Sequence, residues 1–201
     1  SSHVAKLFEK IDTSGLEINI VAPDHGPVWR NMENFRKVLS LYKKWSARRL
    51  DEKVVIVYDT MWKSTEKMAM HIEDGARSSG VTVEMMPLYS FERSMIALEM
   101  LDASAVIVGA PTLNNNIFPS LADVLTYMKG LKFKTPYGAV FGSYGWSGEG
   151  NKLLREYLEA MGVEIVDEIK SKFVPDDKVK EECFELGQAV ANKVKEFIKN
   201  Q

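Results

Sequence analysis

Cysteine is nearly absent from these 201 residues: Cys183 stands alone. Neither a disulfide framework nor a thiolate metal site can be built from one thiol. Set in a helical-looking stretch, it reads as a small buried hydrophobe. No run approaches the roughly 18 uninterrupted apolar residues of a membrane span. The opening Ser1-Ser2-His3-Val4 lacks the basic-then-apolar order of a secretory signal. An excess of one charge is missing too: 26 Lys and Arg stand against 28 Asp and Glu, net −2. Nothing there marks a nucleic-acid surface. Together these absences place the expected compartment in the cytoplasm. What is present, 45% hydrophobic and 27% charged residues, suffices for one conventional core and an appendage.

The appendage is residues 1–50. Val4 to Ile11 reads as a short helix, and Leu16 to Ala22 alternates like a strand. The loop Pro23-Asp24-His25-Gly26-Pro27 follows. Residues 31–47 then predict an amphipathic helix with Phe35, Val38, Leu39 and Tyr42 on one stripe. One strand and two helices cannot close a core of their own.

From Lys53 the rhythm becomes regular. Val54 to Tyr58 is a continuous apolar run, as expected of a parallel strand covered on both faces. The helix after it sets Met68, Ala69, Ile72 and Ala76 on one face. Further strands are expected at Val81–Met86, Ala103–Gly109 and Tyr137–Gly142, and a fifth within Val163–Val174. Helices are expected at Phe91–Leu101, Phe118–Leu131, Gly148–Met161 and from Asp176-Asp177 to about Lys199. Five strands alternating with five helices imply right-handed crossovers and an α/β doubly wound parallel sheet with helices on both faces. Ligands of such sheets bind outside the carboxyl ends of the strands.

Three loops at those ends are unusual. After strand one, Thr60, Ser64 and Thr65 bring hydroxyls to a helix start in Asp59-Thr60-Met61-Trp62-Lys63-Ser64-Thr65. A helix N-terminus with added hydroxyl donors can cradle a phosphate, although a plain N-cap would use the same residues. Neither the Walker pattern nor Gly-x-Gly-x-x-Gly is present, so a phosphomonoester fits better than a nucleoside triphosphate or a pyrophosphate. Asp59 itself reads as a turn residue. After strand three, Pro111-Thr112-Leu113-Asn114-Asn115 combines a stiff turn with residues that tolerate left-handed backbone. After strand four, residues 142–150 hold four glycines and two aromatics: Ser143-Tyr144-Gly145-Trp146-Ser147-Gly148 lies within them. Exposed Tyr and Trp among glycines suit a flat partner approached closely by backbone. A phosphorylated, planar heteroaromatic ligand matches the set, with FMN the natural candidate.

Residues 53–199, with Thr60-x-x-x-Ser64-Thr65 at the phosphate loop, resemble flavodoxin. The preceding Ala22-Pro23-Asp24-His25-Gly26-Pro27-Val28-Trp29-Arg30, a helix, and then this module resemble the end of a flavodiiron protein. The resemblance implies a sheet of order 2-1-3-4-5. It divides the chain into 1–50, the remnant of a metallo-β-lactamase-like di-iron domain with its linker, and 51–201, a flavodoxin-like FMN-binding domain. The cofactor contacts it implies are Thr60, Met61, Trp62, Lys63, Ser64, Thr65, Pro111, Thr112, Leu113, Asn114, Asn115, Ser143, Tyr144, Gly145, Trp146, Ser147 and Gly148. By the same resemblance His25 stands at a last histidine ligand of a di-iron site, while His3 and His71 match no metal motif. The family's other iron ligands come from an earlier part of the chain that this sequence does not contain, so the polypeptide reads as a C-terminal fragment. The implied function is electron transfer by FMN from rubredoxin or a reduced deazaflavin to di-iron, which reduces dioxygen or nitric oxide in head-to-tail dimers. A free-standing flavodoxin carrier and an FMN-dependent NAD(P)H or quinone reductase are the rival expectations. A phospho-receiver is disfavoured, because strand three ends in Gly-Ala-Pro and not in an acceptor aspartate.

Overall fold

A computed structural model describes residues 2–15 and 17–201, which fall into two compact units, 1–49 and 50–201. In the first unit, α1 (Ser2–Thr13) and α2 (Met32–Ser46) are amphipathic. Asn31 caps α2, its Oδ1 accepting from the amides of Glu33 at 2.9 Å and Asn34 at 3.2 Å. No residue of α2 is fully buried; of the expected stripe, Phe35, Val38 and Leu39 are half-buried and Tyr42 is exposed. The strand expected over Leu16–Ala22 is not formed. Leu16 lies outside the described residues, 17–20 carry no regular structure, and only Val21 bridges Trp29, through bonds of 3.0 and 2.8 Å. An alternating pattern becomes a strand only when a neighbour takes its N–H and C=O groups, and Trp29 alone answers here.

The second unit is a parallel sheet of order β2-β1-β3-β4-β5. Its strands are β1 (Asp51–Tyr58), β2 (Thr82–Pro87), β3 (Ala103–Gly109), β4 (Tyr137–Tyr144) and β5 (Glu164–Lys172). Between and after them run α3 (Ser64–Ser78), α4 (Arg93–Glu99), α5 (Pro119–Leu131), α6 (Glu149–Ala160) and α7 (Asp177–Lys199). Side chains alternate across β1 and supply two cores. Val54, Ile56 and Tyr58 join Met68, Ala69, Ile72 and Ala76 of α3 and Leu186, Val190 and Val194 of α7. Val55 and Val57 join Ile96 of α4, Leu121 and Leu125 of α5, and Leu154 and Leu158 of α6. Cys183 is fully buried in the first of these cores, which pushes its thiol up to about 12. Helices α3 and α7 meet through glycine: a Cβ on Gly187 would lie 2.1 Å from the Ile72 carbonyl oxygen, so no larger residue fits.

The register brings the carboxyl ends of the central strands level. Tyr58 pairs with Gly109, Gly109 with Phe141, and β4 runs on beside β5 to Tyr144 and Lys172. No helix among the described residues is long and apolar enough to cross a membrane.

Candidate functional site

The turn after β1 is fixed by Asp59. Its Oδ1 accepts from the Thr60 amide at 2.7 Å and its Oδ2 from Ser120 Oγ at 2.5 Å, tying the turn to α5. The chain then reverses at Lys63, which takes the left-handed φ of 64°, and enters α3 with no side-chain cap. Ser64 and Thr65 therefore do not serve as ordinary helix caps. The first amides of α3 lack a side-chain acceptor, the arrangement that favours an anion. Thr60 Oγ1 is buried without a hydrogen-bond partner, and such groups are costly to leave unmet. Thr65 lies underneath, fully buried, with Oγ1 3.0 Å from Ser143 Oγ; this bond joins the first loop to the third.

In the second loop, the Thr112 amide donates to the Ser143 carbonyl at 2.9 Å, and its Oγ1 accepts from the Gly150 amide at 3.2 Å. Leu113 and Asn116 exchange backbone bonds of 3.2 and 2.9 Å across Asn114 and Asn115, whose φ values are 51° and 56°. Two successive positive φ values mark a turn of the I′ kind, which asparagine tolerates. Asn115 Oδ1 accepts from Ser147 Oγ at 2.8 Å, locking the second loop to the third.

These contacts frame an open cavity of about 250 Å³ at the carboxyl ends of β1, β3 and β4. Met61, Trp62 and Ser64 line it from the first loop, Pro111 and Thr112 from the second, and Ser143, Tyr144 and Gly145 from the third. Phe173, just past β5, completes it. Of the other expected contacts, Thr65, Asn115 and Ser147 hold the loops to one another. Thr60, Lys63, Leu113, Asn114, Trp146 and Gly148 do not line the cavity. Trp62 and Trp146 are 86% and 94% exposed, an unusual state for indoles. Phe173 was missed by reasoning from sequence; its one signal is an aromatic residue at the carboxyl end of a strand.

A larger cavity of about 530 Å³ lies between the β2–α4 connection and α5. Two of its polar side chains are already spent, Arg93 on Asp123 at 2.7 Å and Ser120 on Asp59. The smaller cavity is the better candidate, because it gathers an uncapped helix start and flat side chains at the topological position where such sheets bind ligands.

His25 is exposed at the tip of the loop closed by Val21 and Trp29. Among the described residues no three His, Cys, Asp or Glu side chains come together as a metal site.

Comparison with known proteins gives a consistent picture. The flavodoxin family model matches residues 56–187. A nitric oxide reductase of Moorella thermoacetica is 37% identical over 196 residues, which cover 96% of this chain and 49% of that protein. A coenzyme F420H(2) oxidase of Methanothermobacter marburgensis is 36% identical over 200 residues, covering 97% and 49%. Among solved structures, the rubredoxin oxygen:oxidoreductase of Desulfovibrio gigas superposes with a TM-score of 0.86 at 37% identity, over 96% of this chain and 49% of that one. The chain spans about half the length of the curated relatives it matches.

Proposed function

The chain belongs to the flavodoxin family, and from that premise we propose that it is the FMN-binding electron-transfer part of a flavodiiron oxidoreductase. The observation that carries this reading is the cavity shared by the three loops, with an uncapped helix start at one side and flat side chains at the other. The first amides of α3 and the Ser64 hydroxyl would hold the phosphate by charge-assisted hydrogen bonds. Trp62 and Tyr144 would cover the ring and keep water from it, while the Thr112 hydroxyl offers a polar group to its edge. Bound FMN supplies the reversible electron chemistry; the protein holds it and sets the surroundings in which it works.

The family reading adds the division of labour. Residues 1–50 are the end of a metallo-β-lactamase-like domain with its linker, and 51–201 are the flavodoxin-like domain. The described residues do not fit a di-iron centre, since no three His, Cys, Asp or Glu side chains come together among them. Reduction of dioxygen or nitric oxide is therefore assigned to polypeptide outside this sequence. Rubredoxin or a reduced deazaflavin is the donor in this reading, and the whole protein works as a cytoplasmic homodimer.

An absorbance spectrum taken after adding FMN and desalting tests the central claim. The expected result is the two-banded spectrum of oxidised flavin, retained on the protein. Loss of all flavin on desalting overturns the site. With FMN bound, the chain is expected to consume dioxygen no faster than the flavin's own slow reoxidation. Rapid oxidation of NADH would move the assignment to a nicotinamide-dependent reductase.

A further inference from the structure

Phe173 is the one wall of the cavity that none of the three loops supplies. We propose that its ring is a further contact of the bound flavin, and that its unusual backbone is retained because it places the ring there. This inference rests on the FMN reading above.

Phe173 takes a φ of 62°, in the left-handed region that bulky L-residues avoid. Burial does not compensate for this, because the residue is 63% exposed. Two local contacts fix it. Its amide donates to the Tyr144 carbonyl at 2.8 Å, one step beyond the Tyr144–Lys172 pair that ends the β4–β5 ladder. The Lys172 ammonium lies 5.6 Å from the ring centroid, within the range of cation–π attraction. The ring lies against the third loop, where a Cβ built on Gly145 would be 3.4 Å from it. An exposed aromatic in a disfavoured conformation gains little in the free chain. Beside Trp62 and Tyr144 on one cavity, it gains what a flat, apolar ligand face would return.

The idea requires binding and stability to move in opposite directions. Glycine and asparagine both accept positive φ, so Phe173→Gly and Phe173→Asn remove the ring while relaxing the backbone. Phe173→Tyr keeps a ring. FMN is titrated into each apoprotein and followed by quenching of flavin fluorescence, and melting of each apoprotein is recorded without FMN. The Gly and Asn variants are expected to bind FMN roughly three- to tenfold more weakly. Their apoproteins should melt about 2–4 °C higher than the parent. The Tyr variant should stay within about twofold of the parent in affinity. Affinities of the Gly and Asn variants within twofold of the parent overturn the contact. A lower melting temperature alongside weaker binding also overturns it, because Phe173 is then a structural prop. If the parent itself takes up no FMN, the reading under Proposed function falls first, and this one with it.

Discussion

At the amino ends of the strands, Lys53 Nζ reaches Glu99 at 2.6 Å and Asp102 at 3.1 Å, with only 12% of its side chain exposed. Asp51 and Asp102 continue the tie through their backbones at 2.8 Å. At the carboxyl ends the construction is different. Lys63, Asn114, Asn115 and Phe173 all hold positive φ there, and Trp62 and Trp146 stand almost wholly in solvent. One end satisfies its charges, and positive φ there falls on Gly80 and Gly162, which have no Cβ to strain, and on Lys132 closing α5. The other accumulates non-glycine residues in left-handed geometry and exposed aromatics; each end leaves a buried hydroxyl unmet, Thr135 at the first and Thr60 at the second. Strain of that kind persists where function demands it and is compensated elsewhere in the fold. The contrast implies that stability and ligand binding are separable by mutation along the axis of a single strand.

The largest expected effect belongs to the amino end. Lys53→Met leaves Glu99 and Asp102 facing each other without their cation. Urea unfolding should register a loss of about 2 kcal/mol, below the roughly 3–5 of a fully buried pair, because part of Glu99 is in water. Affinity for FMN should stay within about twofold, since nothing in the triad reaches the cavity. A large loss of FMN affinity would show that the two ends are coupled. The converse comes next in size. Trp62→Ala should weaken FMN binding about tenfold, or about 1.4 kcal/mol. Removing an indole that is 86% exposed should leave unfolding of the free chain within about 0.5 kcal/mol. Equal losses in both measurements would erase the distinction.

The same contrast explains what could be read from sequence. The sheet was legible because β1 and β3 are buried on both faces, which leaves continuous apolar runs such as Val54–Tyr58 and Ala105–Gly109. Its last strand was harder. β5 is an edge strand on which buried Ile169 and Ser171 alternate with exposed Lys170 and Lys172. Charges protect such an edge but blur its limits. The strand expected at Leu16–Ala22 failed for want of neighbours, which periodicity does not report. At the cavity, the three loops announced themselves by composition. Their mutual fastening did not, because the bond between Thr65 and Ser143 joins residues 78 apart in the chain. Phe173 was hidden for a related reason. Its positive φ is imposed by the Tyr144 carbonyl and by no turn residue of its own.

The smallest expected effect is in alkali, where both ends weaken for opposite electrostatic reasons. At the amino end, burial pulls the Lys53 ammonium down, but hydrogen bonds from Lys53 to Glu99 and Asp102 outweigh it and leave the group above its ordinary 10.5. At the carboxyl end, burial and then the neighbouring Tyr89 raise the Tyr58 phenol well above its ordinary 10.0. A raised folded-state value has the same sign of linkage in both cases. The contribution is complete below the unfolded value and is lost as pH climbs from there toward the folded value. Tyr58, whose value is raised far, should therefore give up about 0.4 kcal/mol at its unfolded midpoint, and Lys53 loses stability in the same direction. Unfolding measured between pH 8 and pH 11 should fall first through Tyr58 and then, about half a unit later, through Lys53. Tyr58→Phe should remove the earlier step and Lys53→Met the later one. If either substitution removed both, the two ends would be titrating as a single unit, and their separation along the sheet would have no energetic meaning.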